Sequence, residues 1–354
     1  MMFLRLFFVT LFSSTLWVAT PVRALTFDIN YTSYTAEQQA AFIRGYTQWT
    51  DIITDNVTVI IDTSFASLGG STLGAASSTY YTVDFDTVRG WMVADAADES
   101  DEAITTYLPD SSSINVTTDP DGTTVNTSLM KVYKANMRGL GITSGYGIDW
   151  TASDATIQYS SDYSWDYDNS DGVTAGSYDF ETVVAHEIGH ALGFASGVDT
   201  ADTDGSPIYL TPLDMFRFST AADDPTTTDN FTTATRYMIP DASNNVFFDD
   251  LYQEYLFSTG VYEGDGQQAS HWKDGQSPIL GIMDPTLASA TAVAISDADQ
   301  RALDVIGWDI ATSASLNASA SPIPATGWVM LLGLGLLWWR FHPPQAMPMD
   351  ATLA

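Results

Sequence analysis

Apolar residues recur at helical spacing over residues 35–53, where Phe42, Tyr46, Trp49 and Ile53 fall along one stripe. Thr35 and Gln38 form a capping box at its start. The spacing predicts an amphipathic helix whose aromatic stripe belongs to a core rather than to a ligand site. Residues 57–62 are rich in β-branched side chains and read as a strand. Residues 67–78 are small and glycine-rich and read as a loop. A second helix is predicted over 128–138, ended by Gly139 and Gly141, and a short strand over 155–159. A further helix starts at Asp179, a good N-cap, with Phe180, Val184, Ile188 and Ala191 on one face. Gly193 lets the chain turn sharply at its end. No internal repeat and no second domain signature interrupts this order. It predicts an α+β domain, a mixed sheet packed on helices.

The two ends carry a different pattern. Residues 1–24 place Arg5 ahead of an apolar run from Leu6 to Ala19 and finish on Val22 and Ala24. That is the layout of a signal peptide cut before Leu25, with a buried N-terminal helix as the alternative. Residues 312–321 form a Ser/Ala/Asn linker, and residues 322–340 begin with Pro322-Ile323-Pro324-Ala325-Thr326. The apolar run from Gly327 to Trp339 is shorter than the roughly 20 residues of a free-standing transmembrane helix. Arg340 closes it, and residues 341–354 are a tail. This segment resembles the PEP-CTERM sorting signals of Gram-negative bacteria, although one arginine stands where a cluster is usual. The resemblance implies export across an inner membrane, recognition by an exosortase-type enzyme, and an extracellular or surface-attached product. A plain membrane anchor is the alternative. The main domain is then 25–311.

Charge removes one class of function. With 44 acidic residues against 12 basic ones and a net charge of −32, nucleic-acid phosphates would be repelled almost everywhere. The excess acid is read as a device for solubility. A structural calcium is the sharper reading, yet Asp166-Tyr167-Asp168-Asn169-Ser170-Asp171-Gly172 does not support it. Asp171 takes the EF-hand glycine position and Ser177 the position of the bidentate glutamate. The absence of cysteine excludes thiolate ligands and a cysteine nucleophile.

The strongest chemical signal is His186-Glu187-Ile188-Gly189-His190-Ala191-Leu192-Gly193-Phe194. On a helix, positions four apart share a face, so His186 and His190 can hold one ion. Glu187 is next to His186 and can reach a water on that ion, the H-E-x-x-H arrangement of zinc hydrolases. Both histidines point away from the apolar stripe, which leaves them free to face a cleft.

A catalytic zinc takes three protein ligands and a water. The compact metzincin motif places its third ligand three residues after the glycine, and that position here is Ser196, a poor zinc ligand. Of the remaining histidines, His342 lies beyond the sorting segment, which leaves His271 in Ser270-His271-Trp272. Asp199 is the runner-up, since carboxylate can replace imidazole. Met283 follows His271 by twelve residues, in Gly281-Ile282-Met283-Asp284-Pro285.

At these residues the chain resembles the leishmanolysin family of metzincins. That family shares the H-E-x-x-H-A-L-G-F segment, a long insertion, a Ser-His-Trp third ligand and a methionine turn. A late Leu-Gly-Trp-like sequence has its counterpart in Val305-Ile306-Gly307-Trp308. The resemblance covers roughly residues 180–194 and 270–308, and makes 194–270 the insertion. Residues 212–218 would pack as a small subdomain there, with Asp214 and Arg217 as an ion pair.

The resemblance implies a metzincin-like zincin, a twisted mixed sheet with an active-site helix and a C-terminal subdomain. It implies one catalytic zinc on His186, His190 and His271, with Gly193 and Met283 as structural residues near it. Glu187 would be the general base for hydrolysis of protein or peptide substrates. The strand at 155–159 is expected to hold an extended substrate by strand addition. Pro285 stands where some metzincins carry a tyrosine near the zinc. Two readings compete with a secreted zinc endopeptidase. One is a non-catalytic surface protein with a structural or vestigial zinc site, for which Glu187 has no use. The other is a zinc hydrolase of a non-peptide amide.

Overall fold

A computed structural model describes residues 25–98, 103–118, 123–204, 209–219 and 225–311. The segments read as signal, linker, sorting signal and tail lie outside the described residues. In chain order the first half comprises β1 (Thr26–Thr32), α1 (Ala36–Thr50), β2 (Thr58–Ala66), β3 (Gly74–Ser78), β4 (Tyr80–Asp84) and α2 (Phe85–Asp95). Next come β5 (Ile114–Thr117), β6 (Thr124–Thr127), β7 (Leu129–Tyr133), α3 (Lys134–Gly139) and β8 (Ala155–Ser160). Then β9 (Trp165–Asp166) and β10 (Tyr178–Asp179) lead into α4 (Phe180–Leu192). The remainder holds α5 (Val198–Asp204), β11 (Arg217–Ser219), α6 (Thr228–Thr233), β12 (Arg236–Tyr237), β13 (Val246–Asp249), β14 (Glu254–Phe257) and α7 (Asp297–Asp304). This mix of several small sheets and seven described helices is compatible with the α+β class.

The largest sheet has the order β1-β2-β8-β3, with β1, β2 and β8 parallel and β3 antiparallel at the edge. Its inner strands bury Val59, Ile61, Ile157 and Tyr159. Helix α1 begins as its sequence requires, with Thr35 and Gln38 closing a reciprocal capping box. It packs closely on α4, because a Cβ at Gly45 would stand 2.6 Å from Val184. The indole of Trp49 donates to the carbonyl of Ala185 at 2.8 Å, which fixes the register of the two helices. Phe42, Phe65, Tyr159 and Phe180 form an aromatic cluster between helices and sheet, with Tyr159 and Phe180 centroids 4.8 Å apart.

Three expectations are corrected. The glycine-rich segment 67–78 is not all loop, since Gly74–Ser78 is a strand. Gly, Ala and Ser carry little strand propensity, and it is pairing with β8 that makes them one. Residues 128–138 are not one helix: Leu129–Tyr133 pairs antiparallel with β4, and only Lys134–Gly139 is helical. Alternating burial of Met130 and Val132 decides for the strand, a case of packing overriding propensity. Finally, β8 is not a sheet edge, because β2 and β3 flank it. The sheet's edges are β1 and β3, and β3 is the one that lines the cleft with the histidines.

Candidate metal centre

Helix α4 presents the motif on a well-anchored frame. Asp179 caps it by accepting from the Thr182 N–H at 3.0 Å. Phe180, Val184, Ile188 and Ala191 are fully buried along one face. Gly193 adopts φ 121°, which turns the chain away. The Trp308 indole then donates to the Leu192 carbonyl at 2.8 Å, closing the helix end. The opposite face carries His186 and His190, both partly exposed to a cleft of about 800 Å³. One wall of that cleft is the edge strand β3, and the other is formed by residues around Gln268 and His271.

The structure brings His271 to the two helical histidines. The three Nε2 atoms lie 3.1, 3.1 and 3.2 Å apart. Each Nδ1 faces a backbone carbonyl: Ile282 for His186 at 2.8 Å, Phe194 for His190 at 2.8 Å and Gln268 for His271 at 3.2 Å. A carbonyl only accepts, so each Nδ1 carries the proton and each neutral ring turns a lone pair inward. Three lone pairs converge on one point, which is repulsive unless a cation sits there. Burial also depresses the three imidazole pKa values, that of His190 to about 3 and that of His271 well below normal. The rings are therefore neutral at physiological pH, the form that binds metal. A tetrahedral ion with bonds of 2.0–2.1 Å sets its nitrogens about 3.3 Å apart, close to the observed triangle. Among the described residues, these three form the only cluster of three or more His, Asp or Glu side chains able to share an ion.

Glu187, the residue after His186, lines the same cleft as the three histidines and is 4% exposed. Burial raises its carboxyl pKa to about 8, against a lowering hydrogen bond from the Ala76 backbone of β3. Met283 is fully buried in a tight turn, with Asp284 N–H bonded to the Gly281 carbonyl at 3.2 Å. Its sulfur fills the place a side chain at Gly189 would need, so it packs directly beneath the helix that carries the histidines.

Asp199 is not brought into the cluster of nitrogens. Its carboxylate accepts from the Ala269 N–H at 2.6 Å and from the Ser270 hydroxyl, and so fixes the segment leading to His271. Ser196, which breaks the compact motif, serves the same segment: its N–H donates to the Ser270 hydroxyl at 2.8 Å. Asp214 and Arg217 do not pair. Asp214 is taken up by the Ser196 hydroxyl at 2.6 Å and by the N–H groups of Gly197 and Thr211, each at 2.8 Å. Arg217 instead donates to the carbonyls of Ser258 at 2.8 Å and Ala269 at 3.3 Å. The acids of the 166–172 loop also have local roles. Asp166 accepts from the N–H groups of Asp168 and Thr174, and Asp168 from that of Ser170.

The residue that sequence reasoning missed is Asp299. Fully buried, it accepts from the Trp272 indole at 2.8 Å and from the N–H groups of Ile282 at 2.8 Å and Met283 at 3.2 Å. It also closes a capping box with Ser296 at the start of α7. One carboxylate thus ties the residue after His271, the methionine turn and α7 together. The capping pattern Ser296-x-x-Asp299 was the only sequence sign of it. No protein-family model, no curated protein and no solved structure matches this chain.

Proposed function

We propose that the chain is an exported zinc-dependent endopeptidase of the metzincin type. The observation that carries the reading is the inward convergence of three neutral imidazoles, with a buried carboxylate beside them in an open cleft. His186, His190 and His271 would hold one zinc. When bound, zinc supplies Lewis acidity, lowering the pKa of a coordinated water toward about 7 and polarising a scissile carbonyl. Glu187 takes a proton from the attacking water and delivers it to the departing amine nitrogen. The raised pKa of Glu187 describes the metal-free site, and the positive charge of an ion alongside restores the carboxylate form.

The edge strand β3 supplies a template for an extended peptide, in place of the inner strand β8. A structural zinc site would close its fourth position with protein and would have no use for Glu187. Export, sorting by an exosortase-type enzyme and the surface location belong to the same proposal. No described helix is long and apolar enough to cross a membrane. The test is digestion of a peptide library by the zinc-loaded chain beside Glu187→Ala. The reading predicts internal peptide-bond cleavage, reduced at least about 10²-fold in the variant. Equal rates in the two proteins, or cleavage of small amides alone, would remove it.

A further inference from the structure

The wall opposite the histidines is unusually close to Glu187. An ideal Cβ at Gly74 would stand 2.5 Å from Glu187 Oε1 and 2.9 Å from both its Cδ and Cγ. These are the three nearest heavy atoms, so a methyl at this position meets the glutamate before anything else. Gly74 is not among the glycines with positive φ, so alanine brings no backbone strain there. Absence of a side chain is therefore required by the neighbour and not by the turn of the chain.

The hydrogen-bond phase of β3 completes the contact. Leu73 and Thr79 bond to β8 on either side of it, through Ser160 N–H to Leu73 O and Thr79 N–H to Asp154 O, both at 2.8 Å. In an antiparallel ladder the intervening positions alternate. Gly74, Ala76 and Ser78 thus turn their backbone groups outward, in register with Tyr159, Ile157 and Ala155. The Ala76 backbone on this edge is also what favours the carboxylate form of Glu187 against the effect of burial.

We infer that the missing side chain of Gly74 leaves a socket on the edge strand that sets the position of the Glu187 carboxylate, making Gly74 a positioning residue for the base. Helix α4 fixes only the Glu187 backbone. The side chain has three further torsions, and the socket selects among them. An added methyl displaces the end of the glutamate, because that end is more easily moved than two paired strands. A misplacement of about 1 Å at a proton-transfer group costs on the order of 10²-fold in rate.

This inference rests on the hydrolase reading for its catalytic part, but its structural part is tested without activity. Unfolding midpoints of the full metal-free chain are measured for wild type, Gly74→Ala, Glu187→Ala and the double variant. Gly74→Ala should lower the midpoint when Glu187 is present and leave it unchanged or raise it when residue 187 is alanine. Additive shifts would overturn the socket. On the zinc-loaded chain, Gly74→Ala should retain wild-type zinc affinity, lose kcat on the order of 10²-fold and leave KM little changed. Coupling in the unfolding cycle together with an unchanged kcat would overturn the positioning role. A wild-type chain that cleaves no peptide would sink the hydrolase reading and with it the catalytic part, while the unfolding cycle would still decide the contact.

Discussion

The two halves of the candidate centre are built by different means. On α4, helical periodicity alone puts His186 and His190 on one face, and a buried apolar stripe holds that face toward the cleft. The side-chain bonds that fix this helix are the Asp179 cap and the Trp49 and Trp308 indoles, at its ends and on its flank. His271 sits on irregular chain, and buried carboxylates do what a helix does for the other two. Asp199 grips the segment before it, and Asp299 grips Trp272 after it together with the methionine turn. Burial raises the pKa of both acids, so desolvation offsets part of what their hydrogen bonds contribute. Helical repeat alone spaces two of the ligands, whereas the irregular chain around the third is held by buried carboxylates. The two halves also touch directly, since the Ile282 carbonyl behind His186 belongs to the segment that Asp299 holds.

If the halves serve one ion, removing a ligand from either should be equally damaging. His190→Ala and His271→Ala are expected to weaken zinc by well over the roughly 100-fold that loss of a hydrogen-bond partner behind a ligand costs. Competition titration with a chelator measures it, and a much smaller effect at His271 would leave the helix alone as the site. The staples come next. Asp299→Ala strands several buried donors and should destabilise the fold by about 3 kcal/mol or more in urea unfolding. Asp199→Ala should cost less stability but weaken zinc by about 10–100-fold. Were both variants to bind zinc as wild type does, the contrast between helix and staples would fail.

The smallest effect is expected away from both halves. Burial, with the charge of Asp309, raises the Asp55 pKa to about 8, against an unfolded value near 3.9. The folded chain then holds a proton that the unfolded chain has lost, so this contribution is present below about pH 4 and declines as pH rises to about 8. Asp55→Asn should keep its bond from the Asp309 N–H. It should therefore gain more than about 1 kcal/mol over wild type at pH 8 and little at pH 4, with zinc binding unchanged. A gain independent of pH would reject the titration of Asp55 as its cause.

How much was legible in the sequence follows the same division. The cap at Asp179, the stripe on α4 and the turn at Gly193 are local patterns, and each stands where spacing put it. His271 was reachable because histidines are scarce and because Ser270, Trp272 and Met283 near it match a known pattern, although no periodicity predicts where it folds. Strand β3 was missed because glycine, alanine and serine signal a strand only once β8 is beside them. Asp299 and Gly74 were missed for a related reason. Their roles depend on partners far along the chain, Trp272 and Met283 for one and Glu187 for the other. The Asp214–Arg217 pair failed because nearer backbone donors satisfy Asp214 first.

The central claim is that one zinc is held by imidazoles from both halves. Zinc-edge X-ray absorption on the loaded full chain tests it most directly. Three imidazole nitrogens at about 2.0–2.1 Å are expected in the wild type and two in any residual zinc of His271→Ala. Two imidazoles in the wild type, with the His271→Ala spectrum unchanged, would contradict it.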